Sequence, residues 1–221
     1  MFLAKTRSAE IPLFIAYILL LHVSNAVFDF VVGPYATHHI NNPYLEALVG
    51  PVWTVIFWIL PTFLYIIYVN QCNPFAYLKL TTNIGKGLLW ALAGSLWFVL
   101  GLCYRHFLQG IPINLHLGFG TWLNMIVLVG FFEEIPLRGL VFQKLNEFMS
   151  FWQESLLGSF LFVCLHIPYW ISIGKPLFSF PSTALYIFVF AFILCFVLKR
   201  SGSLWGCIII HGLNDLLSLI V

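Results

Sequence analysis

Residues 116–139, HLGFGTWLNMIVLVGFFEEIPLRG, place two adjacent glutamates and an arginine directly after a long apolar run. The run from residue 116 to residue 134 is close to the roughly 20 mostly apolar residues that a membrane-spanning helix needs. Glu133 and Glu134 are two of only eight acidic residues in a chain of 221. Because an ionisable side chain at membrane depth costs on the order of 2.5–3.5 kcal/mol, this pair needs a structural or functional reason.

The composition of the whole chain agrees with a membrane location. Hydrophobic residues make up 61% of the chain and charged residues 8%, and the mean hydropathy is +0.97. A soluble domain carries about 25% charged residues, so this chain has too few to cover a surface that faces water. The net charge of +2 and the scattered basic residues exclude nucleic acid as a partner. The five cysteines form no CxxC pair and indicate neither a disulfide framework nor a zinc knuckle.

The apolar runs predict an all-α, polytopic helical bundle with about seven transmembrane helices. We expect these helices at residues 11–32, 48–69, 87–104, 116–134, 155–172, 183–198 and 203–221. The connecting loops are too short for a second domain, so residues 1–221 are expected to form a single membrane-embedded domain.

The positions of lysine and arginine predict the orientation of the bundle, because cytoplasmic loops are enriched in these residues. With a cytoplasmic N-terminus, eight of the ten lysines and arginines fall in cytoplasmic segments. This topology puts Glu133 and Glu134 at the cytoplasmic end of the fourth helix. Pro136 removes a backbone donor, so the chain is expected to break or kink at Ile135, before an interfacial helix over residues 137–149.

Two histidines and an aspartate lie at comparable membrane depth on other helices. With 1.5 Å of rise per residue, His166 lies about 16 Å along the fifth helix and His211 about 12 Å along the seventh. Asp215 follows His211 by one turn and projects from the same helix face. Three helices are therefore expected to bring carboxylates and imidazoles together in the cytoplasmic half of the membrane.

These residue types are suited to hydrolysis. A carboxylate that is partly removed from water, beside a second carboxylate, is a candidate general base for activating a water molecule. Histidines and an aspartate can hold that water, bind a metal ion or donate to a developing oxyanion. The sequence contains no phosphate-binding glycine loop, HExxH or GxSxG motif that would indicate another reaction.

Three motifs in the second half of the chain resemble those of the CPBP family, which comprises CAAX proteases and bacteriocin-processing enzymes and is also called the Abi family. The EExxxR motif is EEIPLR, from Glu133 to Arg138. The FxxxH motif is FVCLH, from Phe162 to His166, and the HxxxN/D motif is HGLND, ending at Asp215. The resemblance covers residues 118–217 and depends on all three motifs occurring in this order.

The resemblance implies an intramembrane endopeptidase whose catalytic cavity opens towards the cytoplasm. Its implied catalytic residues are Glu133, Glu134, Arg138, His166, His211 and Asp215. In that family pattern Glu133 activates water and His166 helps to orient it. Glu134 and Arg138 form a supporting ion pair. The last two residues stabilise the oxyanion or complete the water site.

The family pattern leaves the metal dependence of the reaction open. A zinc ion or another divalent metal would take Glu133, His166 and His211 as ligands, and a metal-independent glutamic mechanism is equally compatible. This chain departs from the pattern at three positions. Pro136 lies inside the first motif, Leu137 replaces the usual aromatic residue, and Asp215 stands where asparagine is more usual.

Two other classes of function fit parts of the sequence. A non-catalytic scaffold or bacteriocin-immunity protein would bind a membrane partner, although it would have no need for the buried glutamates and histidines. A proton-coupled transporter would spread polar groups over the full membrane depth. The expected partners are a peptide or protein substrate, prenylated or membrane-anchored, and the lipid bilayer, in a bacterial plasma membrane.

The first helix carries a polar stripe of its own, formed by His22, Asn25 and Asp29. We expect this stripe to make hydrogen bonds with a neighbouring helix, as polar residues in membrane proteins commonly do. The predicted topology puts Asp29 near the outer side of the membrane, away from the candidate site. Phe162 is expected to pack against the wall of that site.

Overall fold

The computed structural model describes residues 2–220, and the side chains of residues 10–220. Within this range the chain forms seven long helical segments and no strand, which confirms the predicted all-α fold class. They are α1 over residues 2–39, α2 (Pro43–Tyr68), α3 (Ile84–Leu108), α4 over residues 119–145, α5 (Phe151–Ser172), α6 (Phe180–Ser201) and α7 (Trp205–Ile220). A four-residue helix, Pro74–Tyr77, lies between α2 and α3.

Five of the described helices are long and apolar enough to cross a membrane, whereas the sequence predicted about seven. The five spans are Glu10–His39, Pro43–Tyr68, Ile84–Leu108, Phe151–Ser172 and Leu177–Ser201. The other two helices are α4, which carries the glutamate pair, and α7, which is apolar but has only 16 residues. At 1.5 Å per residue α7 is about 24 Å long, less than the hydrocarbon core of about 30 Å. It packs against α3, α4 and α6.

The loops before α5 and α7 contain residues that determine where the neighbouring helices begin or end. Ser150 and Gln153 form a capping box at the start of α5, which satisfies backbone donors that the first helical turn leaves unpaired. Gly202 ends α6 with a φ of +66°, a left-handed conformation that glycine adopts without steric cost. This sharp end leaves only residues 202–204 between α6 and α7 and returns α7 alongside α6.

The helix α4 changes its geometry at the glutamate pair without breaking. The α-helical part Val129–Glu134 ends where the proline was expected to end it, but the chain continues as a π-helical segment, Ile135–Phe142. A π-helical turn is wider than an α-helical turn and bonds residue i to residue i+5. It accommodates the ring and the missing donor of Pro136. Of the predicted break or kink, the break is therefore wrong, and the kink stays a prediction.

The predicted interfacial helix at residues 137–149 is also wrong. Every residue from Ile135 to Phe142 is buried inside the protein. Lys144, which was expected to face the cytoplasm, is only 2% exposed. Its ammonium group donates to Glu10 of α1 and, at 2.9 Å, to Glu147. The segment that follows the glutamates is therefore part of the core.

Two glycines allow α4 and α7 to approach each other closely. A Cβ on Gly130 of α4 would lie 2.5 Å from the carbonyl oxygen of Ile208 in α7. A Cβ on Gly212 of α7 would lie 2.9 Å from the carbonyl oxygen of Ile126 in α4. Both contacts are with backbone atoms, which cannot rotate away as a side chain does. Because the contacts are reciprocal, they hold the end of α4 that carries the glutamates against the part of α7 that carries the histidine.

We expect Gly130→Ala to separate α4 from α7 and to lower the free energy of unfolding by about 1–3 kcal/mol, the usual cost of overpacking a core. The measurement is unfolding of the purified protein in mixed micelles with increasing dodecyl sulfate. Gly85→Ala on α3 is the matched control, because a Cβ there meets no atom within 4 Å. Equal stability of the two variants would contradict the close contact.

Candidate active site

Glu134 lies at the centre of an ion cluster between α4 and α7. Its side chain is fully buried, and its Oε1 atom accepts hydrogen bonds from Arg138 Nη1 at 2.9 Å and from His211 Nδ1 at 2.7 Å. The guanidinium of Arg138 also lies 4.1 Å from the centre of the Phe162 ring. The structure thus contains an ion pair between Glu134 and Arg138, one turn apart, although Pro136 lies between them.

The second ring nitrogen of His211 faces two other carboxylates. His211 Nε2 lies 3.9 Å from Glu133 Oε2 and 3.7 Å from Asp215 Oδ2. These distances are too long for direct hydrogen bonds, and a polar contact of this length is often bridged by water. The side chain of Glu133 is 22% exposed and that of Asp215 is 18% exposed, whereas Glu134 is fully buried. The two adjacent glutamates therefore have different environments.

His166 reaches the same region from α5. Its Nδ1 atom donates to the carbonyl oxygen of Phe162 at 2.9 Å, which leaves Nε2 as the acceptor of the neutral ring. The Phe162 ring centre lies 4.8 Å from the His166 ring and 5.9 Å from the His211 ring. Phe162 therefore forms a wall that contacts both imidazoles, as expected. The structure brings together α4, α5 and α7 around this ring.

The polar stripe on α1 contacts α5 as predicted. His22 bonds to a backbone carbonyl of α5, and Asn25 Nδ2 donates both to the carbonyl oxygen of Leu165 at 2.8 Å and to Asp29 Oδ2 at 2.9 Å. Asp29 lies within electrostatic reach of Glu133, so the expectation that it lies away from the candidate site is wrong. The predicted depth of Asp29 was counted from a first helix that starts at residue 11, whereas α1 is helical from Phe2.

Three further residues border the site and were missed from the sequence. Asn214 Nδ2 donates to Asp215 Oδ1 at 3.2 Å, and the Tyr186 hydroxyl donates to Asn214 Oδ1. The ring centre of Phe190, one turn after Tyr186 on α6, lies 5.5 Å from that of His211 in an edge-to-face contact. Asn214 occupies an unspecified position of the HxxxN/D motif, and Tyr186 and Phe190 lie outside the three motifs. The sequence signal for these two aromatic residues is that they lie four residues apart on one helix face.

The proposed zinc ligands do not form a metal-binding group. Among the described residues, no three or more histidine, cysteine, aspartate and glutamate side chains are arranged to hold a metal ion. Glu133, His166 and His211 therefore do not fit a metal centre in this arrangement.

The apolar helices of the bundle define an integral membrane protein, and the buried cluster of carboxylates, imidazoles and a guanidinium is its candidate site. A family model described as Rce1-like, a type II CAAX prenyl endopeptidase, matches residues 114–217. The predicted resemblance to the CPBP family is confirmed over these residues, and the match supports an intramembrane protease. Comparison with curated proteins and with solved structures finds no match for this chain.

Proposed function

We propose that this protein is an intramembrane endopeptidase in which Glu133 activates the water that hydrolyses a peptide bond. The observation that carries the proposal is the arrangement around His211 Nε2, with Glu133 Oε2 at 3.9 Å and Asp215 Oδ2 at 3.7 Å. A water molecule between these atoms would contact two acceptors and an imidazole nitrogen. Glu133 Oε2 is itself buried, although the side chains of Glu133 and Asp215 keep some exposure.

The two adjacent glutamates are assigned different roles because their partners differ. Glu134 is fully buried, and one of its oxygens already accepts from Arg138 and His211. Glu133 Oε2 has no hydrogen-bond partner among the described residues, and the Glu133 side chain is partly exposed. A general base must reach the proton that it abstracts. Glu133 meets this requirement, whereas Glu134 serves to hold Arg138 and His211.

The proposed reaction uses side chains of the protein at every step. Glu133 takes a proton from water as the water oxygen attacks the carbonyl carbon, and His166 helps to orient that water from α5. Protonated His211, held by Glu134 and Asp215, donates to the oxyanion that forms. When the C–N bond breaks, the proton on Glu133 passes to the leaving nitrogen, which restores the carboxylate and releases a carboxylic acid and an amine.

The proposal also covers the location of the site and the class of substrate. The charge distribution along the sequence favours a cytoplasmic N-terminus and a cavity that opens to the cytoplasm, within a single membrane-embedded domain. The family description supports a prenylated peptide with a C-terminal CAAX sequence as the substrate. The bacterial plasma membrane stays a prediction from the sequence.

The test is cleavage of an internally quenched, farnesylated peptide with a C-terminal CAAX sequence by the purified full chain in liposomes. We expect cleavage of this peptide, slower cleavage of the same peptide without its farnesyl group, and no change when a zinc chelator is present. The chelator arm separates the two mechanisms that the sequence left open, because a resident metal would be removed.

Each possible result of this experiment contradicts a different part of the proposal. If the folded protein cleaves neither peptide, the endopeptidase proposal fails and the scaffold alternative gains support. If the chelator abolishes cleavage and added zinc restores it, the metal-independent mechanism fails while the protease remains. Equal cleavage of the two peptides would show that the enzyme does not recognise the prenyl group of its substrate.

A further inference from the structure

A hydrogen-bonded chain leads from the surface of α6 to the candidate site. The Tyr186 hydroxyl donates to Asn214 Oδ1, and Asn214 Nδ2 donates to Asp215 Oδ1 at 3.2 Å. The other carboxylate oxygen of Asp215, Oδ2, faces His211 Nε2 at 3.7 Å. The two hydrogen bonds orient the amide of Asn214 and the carboxylate of Asp215. That carboxylate faces the imidazole that the proposed reaction uses.

A second contact from α6 reaches the same imidazole. The Tyr186 ring lies parallel to the Phe190 ring, with their centres 6.4 Å apart and their planes at 4°. The edge-to-face contact between Phe190 and His211 follows, at 5.5 Å. Tyr186 therefore supports one side of the His211–Asp215 pair through an amide and the other side through an aromatic ring.

From these two contacts we propose that Tyr186 and Asn214 are positioning residues for Asp215 and His211. The proposal rests on the proposed function, since it assigns these groups to the orientation of the same catalytic pair. Because a carboxylate only accepts hydrogen bonds, the NH₂ end of the Asn214 amide faces Asp215, and its oxygen accepts from the Tyr186 hydroxyl. The hydroxyl holds the oxygen end of the amide and thereby fixes its NH₂ end beside Asp215. Without it, the amide is free to rotate and the carboxylate loses a fixed donor.

The surroundings of this pair make a clean test practicable. Tyr186 and Asn214 line a cavity of about 530 Å³ between α3, α6 and α7, together with Tyr104 of α3. Tyr186 is 51% exposed. Removing its hydroxyl therefore creates no buried void of the kind that destabilises a core. Tyr104→Phe removes a hydroxyl from the opposite wall of the same cavity and is the matched control.

The first experiment measures kcat and KM for the farnesylated reporter peptide with Tyr186→Phe, Asn214→Ala, the double variant and Tyr104→Phe. We expect kcat to fall about tenfold in each single variant, the scale of one hydrogen bond, with KM unchanged. The double variant is expected to be no slower than the slower single variant, because both act through one contact with Asp215. Tyr104→Phe is expected to match the wild type.

The second experiment does not depend on activity. In protein labelled with ¹⁵N histidine, Tyr186→Phe and Asn214→Ala are expected to shift the Nε2 resonance of His211, while Tyr104→Phe leaves it in place. An unchanged resonance in both variants overturns the positioning role, and so does unchanged kcat in a wild type that cleaves the peptide. If the wild type does not cleave but the resonance shifts, the positioning role stands and the proposed function is what fails.

Discussion

Glu133→Gln is expected to lower kcat for cleavage of the farnesylated reporter peptide about a thousandfold, with KM close to the wild-type value. The substitution keeps the size of the side chain but replaces a carboxylate, which can take a proton from water, with an amide, which cannot. General acid–base catalysis contributes about 10²–10⁴-fold to a rate, so removal of the base should cost an amount in this range. The measurement is steady-state kinetics in liposomes.

The environment of Glu133 separates an effect on chemistry from an effect on folding. Its Oε2 atom makes no hydrogen bond to a described residue, and His211 Nε2 lies 3.9 Å away. The variant should therefore unfold at the same dodecyl sulfate concentration as the wild type. Glu46→Gln is the matched control and should cleave the peptide normally. The Glu46 carboxylate lies in α2 and bonds only to Thr37 in the described part of the chain. A Glu133→Gln protein with kcat within tenfold of the wild type would refute the assignment of the base.

The motifs predicted which residues meet, but the sequence did not predict how α4 continues past them. Proline rules that assume α-helical geometry place a break at Ile135. In the structure the chain widens into a π-helical segment over Ile135–Phe142. Whether a helix breaks or widens depends on what surrounds it, and this segment is buried on all sides. A local rule has no access to that tertiary environment.

The residues missed from the sequence have a common physical reason. Tyr186 and Phe190 lie on an apolar helix where aromatic residues are common, and only the packing of α6 on α7 gives them a specific contact. Asp29 was expected to lie away from the site because its position along the first helix was counted from hydropathy alone, whereas it lies within electrostatic reach of Glu133. The apolar composition of a short helix such as α7 also predicts a membrane span, because hydropathy does not distinguish a lipid environment from a protein interior.

The close contact of α4 and α7 at two glycines was not predicted from the sequence patterns. Gly130 and Gly212 set the distance between α4 and α7, and that distance determines whether His211 reaches Glu134. Gly130 lies outside the three motifs, and Gly212 occupies an unspecified position of the HxxxN/D motif. Small residues at helix contacts are frequent in membrane proteins. The contact becomes visible only when both helices are placed.

Glu134→Ala is expected to lower the free energy of unfolding by about 3–5 kcal/mol, the usual cost of leaving a buried charge without its partner. Arg138 is 2% exposed, and its only charged hydrogen-bond acceptor in the described part of the chain is Glu134 Oε1. Its Nη2 atom has no hydrogen-bond partner among the residues that the structure describes. Removal of the carboxylate also leaves His211 Nδ1 without its acceptor. The measurement is unfolding in mixed micelles with increasing dodecyl sulfate.

The double variant Glu134→Ala/Arg138→Met isolates the cause of that loss. Replacing both members of a buried ion pair by apolar groups is often close to neutral, so the double variant should recover part of the stability that Glu134→Ala loses. The recovery should be incomplete, because His211 Nδ1 remains unpaired. Arg138→Met alone should cost less than Glu134→Ala, since Glu134 keeps its hydrogen bond to His211. If the double variant is less stable than Glu134→Ala, the unpaired guanidinium is not what destabilises the protein, and Glu134 stabilises it chiefly through His211.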